Sequence, residues 1–73
     1  MDLEILDTAD QVFDALGGNS GVAEVTAAKA PRVSNWRAAG SFPPNTYVAM
    51  TDALRVQGKT APATLWRMLE AAQ

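Results

Sequence analysis

The chain contains neither cysteine nor histidine. The first absence removes disulfides, and the two together remove the side chains that most often hold zinc or haem. No run of about 18 apolar residues occurs, so no helical membrane span is expected. The opening segment MDLEILD is acidic and lacks the basic region of a secretory signal, which makes the cytoplasm the expected compartment. Chemistry is also sparsely equipped. Asp7, Asp10 and Asp14 fall at helical spacing, but no nucleophile stands beside a base, so they read as a solvated face and partners of a helix N-terminus. Gly17-Gly18 is not followed by Gly-Lys-Ser/Thr, so a helix stop is expected there rather than a phosphate loop. The expectation is a protein that is not an enzyme, with no metal, no cofactor and no evident small-molecule ligand.

What is present is one small domain, 1–73, near the lower size limit for a single core. A chain this short without staples depends on helix packing or on oligomerisation. Its net charge of −2 argues at first against nucleic acid. The distribution argues the other way. Residues 1–28 hold Asp2, Glu4, Asp7, Asp10, Asp14 and Glu24 and no base, whereas residues 29–73 hold every base and only Asp52 and Glu70. Local sign matters more than the total when a polyanion approaches.

The patterning predicts an all-α bundle of about five short helices. Leu3, Ile5 and Leu6 form an apolar stub whose conformation the pattern leaves open among strand, arm and helical lead-in. Thr8 and Gln11 fit a capping box, Val12, Phe13 and Leu16 give one apolar face, and Gly17-Gly18 stops a first helix over 9–16. Asn19 or Ser20 is expected to cap a second helix running to about Ala27. A third, over 30–39, starts after Lys29 or Ala30 with Pro31 in its first turn and stops at Gly40. Ser41 to Pro44 is a rigid connector. Asn45 or Thr46 caps a supporting helix over 45–57, with Tyr47, Met50, Thr51 and Leu54 on its buried stripe. Thr60 caps a last helix over 61–72, where Leu65, Trp66 and Leu69 supply the apolar face. Trp36 and Trp66 read as core residues from their helical spacing to Val33 and Leu69, rather than as base-stacking platforms.

Within this pattern Val22–Trp36 reads as a helix-turn-helix, with its core at 19–39. Numbered from Asn19, Ala23 falls at the fifth place, where only a small side chain fits between crossing helices. Val33 and Trp36 fall at the fifteenth and eighteenth, where they seat the third helix on the core. The outward positions of that helix are then able to read DNA. Asn35 is suited to the N6/N7 edge of adenine and Arg32 to guanine or phosphate, and Ser34 points into the groove with them as a base reader. Ala30 and Pro31 suit a thymine methyl. Lys29 and Arg37, with Asn19 and Ser20 at the start of the second helix, are expected to contact phosphates.

The pattern GG-x-x-x-VA…RVSNWR-x-x-G-x-FP resembles Cro/YdaS-like helix-turn-helix proteins of the λ-repressor-like superfamily, among them phage-type and alphaproteobacterial members. It is carried by Gly17-Gly18, Val22-Ala23, Val33 to Arg37, Gly40 and Phe42-Pro43, with Ala61-Pro62 and Leu65 to Met68 further on. Ala27 stands at the turn position where that family usually has glycine, and Thr26 where leucine is common. The resemblance implies a non-catalytic, sequence-specific transcriptional regulator that dimerises on a palindromic site in double-stranded DNA. The expected function is therefore a repressor that occupies a promoter through the major groove, with the acidic first helix facing away from the duplex. The alternative is a protein-interaction module of antitoxin or anti-repressor type, docking a partner through the acidic N-terminal half and exposed Leu3, Ile5 and Leu6. The stub and part of Leu65–Ala72 are the apolar groups that a homodimer would use.

Overall fold

The first helix begins where a hydroxyl and an amide can satisfy its free N–H groups. In the computed structural model, which describes residues 3–68, Thr8 Oγ1 accepts from the Gln11 N–H at 3.2 Å and Gln11 Oε1 accepts from the Thr8 N–H at 3.1 Å. This reciprocal box opens α1, Ala9–Ala15, whose buried residues are Ala9, Val12 and Phe13. Gly17 and Gly18 then turn the chain with φ of 98° and 76°, both in the left-handed region where a side chain is disfavoured.

That glycine pair lets α2, Gly18–Thr26, start at once. The cap position belongs to Gly17, so neither Asn19 nor Ser20 caps the helix as the sequence suggests, and no side chain bonds the free N–H groups there. Gly21 is demanded by a different contact. A Cβ at this position would overlap the carbonyl oxygen of Leu16, so α1 and α2 meet at a corner with no room for a side chain. At the far end of α2 the Thr26 hydroxyl donates back to Val22 O at 2.8 Å. Ala27 follows with φ of 58°, an alanine in a conformation that glycine would hold at lower cost. The chain then enters α3, Ala30–Ala39, with Pro31 in its first turn and Gly40 as its cap.

Beyond α3 the connector buries Phe42 completely. Pro44–Thr46 makes one 3-10 turn that runs straight into α4, Tyr47–Val56, so neither Asn45 nor Thr46 acts as a side-chain cap. The Thr46 hydroxyl donates to Pro43 O instead, at 2.8 Å. Met50, Thr51 and Leu54 form the buried side of α4, as their spacing predicts.

The two ends of the described chain differ most from the sequence pattern. The stub becomes β1, Glu4–Ile5, which pairs in parallel with β2, Lys59–Thr60. Thr60 is thereby a ladder residue and not a helix cap. Leu6 donates its N–H to Thr60 O at 2.8 Å and buries its side chain, so it is not part of an exposed docking patch. No α-helix forms over 61–68; only a 3-10 turn, Ala63–Trp66, appears, and it ends at Arg67 with φ of 58°. The Phe42 N–H takes Leu65 O at 2.8 Å, a carbonyl that a continuing α-helix would use internally. Leu69 and the rest of the expected helix over 61–72 lie outside the described residues.

Among the described residues the architecture is thus four α-helices and two 3-10 turns around one apolar cluster, an all-α bundle with a short parallel clip. Phe13, Val22, Val33, Phe42, Met50, Leu54 and Trp66 are fully enclosed in it. Gln57 Nε2 donates to Ala15 O at 2.8 Å, which ties the end of α4 to the end of α1. No described helix is long and apolar enough to cross a membrane.

Two backbone substitutions should have opposite effects. Gly21→Ala is expected to lose about 3 kcal/mol or more, the upper end for overpacking, because the obstructing atom belongs to the backbone. Ala27→Gly is expected to gain about 0.5–1 kcal/mol by relieving the left-handed strain at an exposed site. Urea unfolding midpoints of the two variants against wild type measure both.

Candidate nucleic-acid interface

The α2–α3 pair is held from behind and bare in front. Val33 is the single buried residue of α3, while Trp36 and Arg37 are half-buried and every other residue of the helix is exposed. At 100° per residue these three lie together on one side. The opposite side therefore presents Pro31, Asn35 and Ala38. Arg32 and Ala39 lie on one flank, and Ser34 and Ala30 on the other, next to Arg37. Helix α3 contains no acidic residue.

The flank toward α1 is built by Arg37. Its Nε donates to Asp10 Oδ1 at 3.0 Å, and its Nη2 lies 3.6 Å from Asp14 Oδ1. Its Nη1 donates to Asn19 Oδ1 at 3.1 Å, and its Cζ sits 5.1 Å from the centre of the Phe13 ring. A planar guanidinium with several fixed donors is suited to such divergent bonding while resting on an aromatic face. Asn19 in turn donates from Nδ2 to Ser34 Oγ at 3.2 Å. Asn19 and Arg37, expected as separate phosphate contacts, are thus joined to Ser34 in one chain of hydrogen bonds. Asp10 and Asp14 reach this flank as well, so α1 is not remote from α3, and Arg37 offsets one of their two charges there.

The other flank opens onto a cleft of about 370 Å³ between the α2–α3 turn and the connector to α4. Thr26, Ala27, Arg32, Trp36, Pro43 and Asn45 line it. Trp36 is part of this lining and meets Phe42 edge-on, with ring centres 6.5 Å apart. Asn45 belongs to this rim although the sequence pattern offers it only as a helix cap. Nothing in the linear spacing links it to Arg32.

The bases are distributed unequally. Arg37, Arg55 and Lys59 pair with carboxylates, and Arg67 Nε donates to Ser41 Oγ at 3.1 Å. Lys29 and Arg32 have no side-chain partner among the described residues, nor do the exposed Ser20 and Asn35. Of the three cations without a carboxylate partner among the described residues, Lys29 and Arg32 stand together at the N-terminal half of α3, and Arg67 lies in the last turn. An arrangement of this kind can accept anionic groups at its edges and hydrogen-bonding edges at its centre.

Arg37→Ala is expected to lower stability by about 1–2 kcal/mol, because it removes the cation–ring contact as well as exposed ion pairs of small individual worth. An unchanged chemical-denaturation midpoint would show that this network contributes nothing to the fold.

Compared with family models, curated proteins and solved structures, the chain matches none of them.

Proposed function

We propose that this protein is a sequence-specific double-stranded DNA-binding regulator, acting most simply as a repressor that occupies its operator. The observation that carries the reading is the exposed face of α3. Asn35 stands near its centre and Ser34 at its edge toward α2, Lys29 and Arg32 stand unpaired toward its N-terminal half, and α2 braces it across a tight turn. The short-turn helix pair and the absence of acid on α3 fit entry of α3 into a major groove as the second unit of a helix-turn-helix. Asn35 is the candidate reader of adenine, and Arg32 of guanine or a neighbouring phosphate. Pro31 and Ala30 offer apolar contact to thymine methyl groups. Lys29 and the N–H groups of Asn19 and Ser20 are the candidate phosphate contacts. A symmetric pair of molecules would set two such helices roughly 34 Å apart on a palindromic site.

The competing reading, a protein-docking module, draws support from Ile5, Val48 and Val56, which are 64%, 66% and 88% exposed. Its acidic surface is smaller than the composition suggests, because Glu4, Asp10 and Asp14 are engaged by Lys59 and Arg37.

Binding to fragmented genomic DNA, followed by titration of a selected duplex across salt concentrations, tests the proposal. Lys29→Ala is expected to weaken every sequence alike and to flatten the logarithmic salt slope by about one. Asn35→Ala should cost about 1–3 kcal/mol on the selected site and relax the preference at one base pair. Wild-type behaviour of both variants, or no DNA retained at physiological salt, would exclude the groove placement and favour the docking module.

A further inference from the structure

We propose that the Arg37–Asn19–Ser34 chain fixes the polarity of Ser34, making it an outward hydrogen-bond donor that selects base edges carrying an acceptor. The inference rests on the DNA-binding reading above and specifies what one position of the interface recognises.

A serine hydroxyl is ordinarily ambiguous, because it can donate or accept and rotates to suit its partner. Here the ambiguity is removed one link at a time. The Arg37 guanidinium has donors only, so the Asn19 atom facing its Nη1 at 3.1 Å must be the carbonyl oxygen Oδ1. This bond orients the whole carboxamide. The amide nitrogen Nδ2 is then the atom facing Ser34 Oγ, at 3.2 Å, and it can only donate. Ser34 Oγ must accept, so its own proton points away from Asn19. No acceptor for that proton exists among the described residues, and Ser34 is exposed.

Arg37 is itself held in this attitude. Asp10 Oδ1 takes its Nε at 3.0 Å, Asp14 Oδ1 lies 3.6 Å from Nη2, and the Phe13 ring supports its plane. Each bond in such a chain polarises the next, which strengthens the terminal donor once a bound duplex excludes water. Asn19 and Arg37 are positioning residues in this account, and Ser34 makes the contact. In the major groove guanine, adenine and thymine each offer an acceptor, whereas cytosine offers only its N4 donor. The base opposite Ser34 is therefore any base but cytosine.

The test is selection of binding sites from a randomised duplex pool by the full chain and three variants. Wild type should disfavour cytosine about five- to tenfold at one position, the worth of a single hydrogen bond in a dry interface. Ser34→Ala should lose that preference at that position alone. Asn19→Asp keeps its bond to Arg37 but presents only acceptors, so it takes the Ser34 proton and leaves Oγ as an acceptor facing the groove. Its preference at the same position should invert toward the bases that offer a donor, cytosine through N4 and adenine through N6, and away from guanine and thymine. Asn19→Ala, which frees the hydroxyl, should leave the position indifferent. Thermal unfolding by circular dichroism confirms that each variant is folded; Asp in the first turn of α2 is favourable to the helix. Unchanged preferences in Ser34→Ala or Asn19→Asp, or loss without inversion in the latter, would overturn the polarity assignment while leaving the DNA-binding reading intact. Failure of wild type to enrich any sequence would remove that reading and this proposal together.

Discussion

The enclosure of Phe42 is the constraint on which the rest of the structure depends. Its ring centre lies 5.6 Å from that of Phe13 on α1, 6.5 Å from Trp36 on α3 and 5.1 Å from Trp66 in the last turn. Its N–H also holds Leu65 O, so backbone and ring together bring three distant parts of the chain to one point. Burial of a phenylalanine is worth about 1.5–3 kcal/mol, and each well-placed aromatic pair adds about 0.5–1.5 kcal/mol. In a small domain, with a net stability of about 5 kcal/mol, a cluster of this kind is a large share of the margin. Because α3 is gripped from this side through Trp36 and Val33, its opposite side carries no packing duty and is available for recognition.

Electrostatics supply the second grip on α3. The chain is acidic in its first 28 residues and basic afterwards, which in an extended chain is only a gradient. Folding brings opposite ends of that gradient together at Arg37 with Asp10 and Asp14, and at Lys59 with Glu4. Exposed pairs of this kind are individually weak. Their effect lies in which charges they remove. Three carboxylates are engaged by two cations, and the cations left unpaired beside the exposed face of α3 are Lys29 and Arg32. The overall negative charge of the molecule therefore says little about the potential met by a ligand approaching α3.

Helix boundaries were legible wherever a local device sets them. The Thr8–Gln11 box, the Gly17-Gly18 stop, Pro31 in a first turn and Gly40 at a C-terminus each act within four residues, and each stands where the pattern puts it. The apolar spacing of Met50, Thr51 and Leu54 was equally readable. Legibility failed where a long-range partner outweighs the local signal. Thr60 followed by Pro62 looks like a helix start, but parallel pairing with Ile5 and the bond from Phe42 to Leu65 claim that backbone first. Asn19 looks like a cap, but the glycines ahead of it start the helix earlier and leave its side chain for Arg37 and Ser34. Gly21 gave no signal at all, since the atom that excludes a side chain there belongs to Leu16 and comes near only once α1 and α2 meet.

The exposed polar residues of α3 follow from the sequence by itself. A helix with Val33 and Trp36 on one side must turn Ser34 and Asn35 to another, because the helical repeat leaves no alternative. Fold class follows in the same way, from periodicity and from the caps. What those exposed side chains can do was decided only by tertiary structure. Whether Arg37 is a free cation or a brace, and whether Ser34 offers a proton or a lone pair, depends on Asp10, Asp14 and Asn19. Arg37 lies 27 residues from Asp10 and 18 from Asn19 along the chain. A hydrogen bond acts over about 3 Å and with a direction, and sequence spacing carries neither quantity across a turn of the chain.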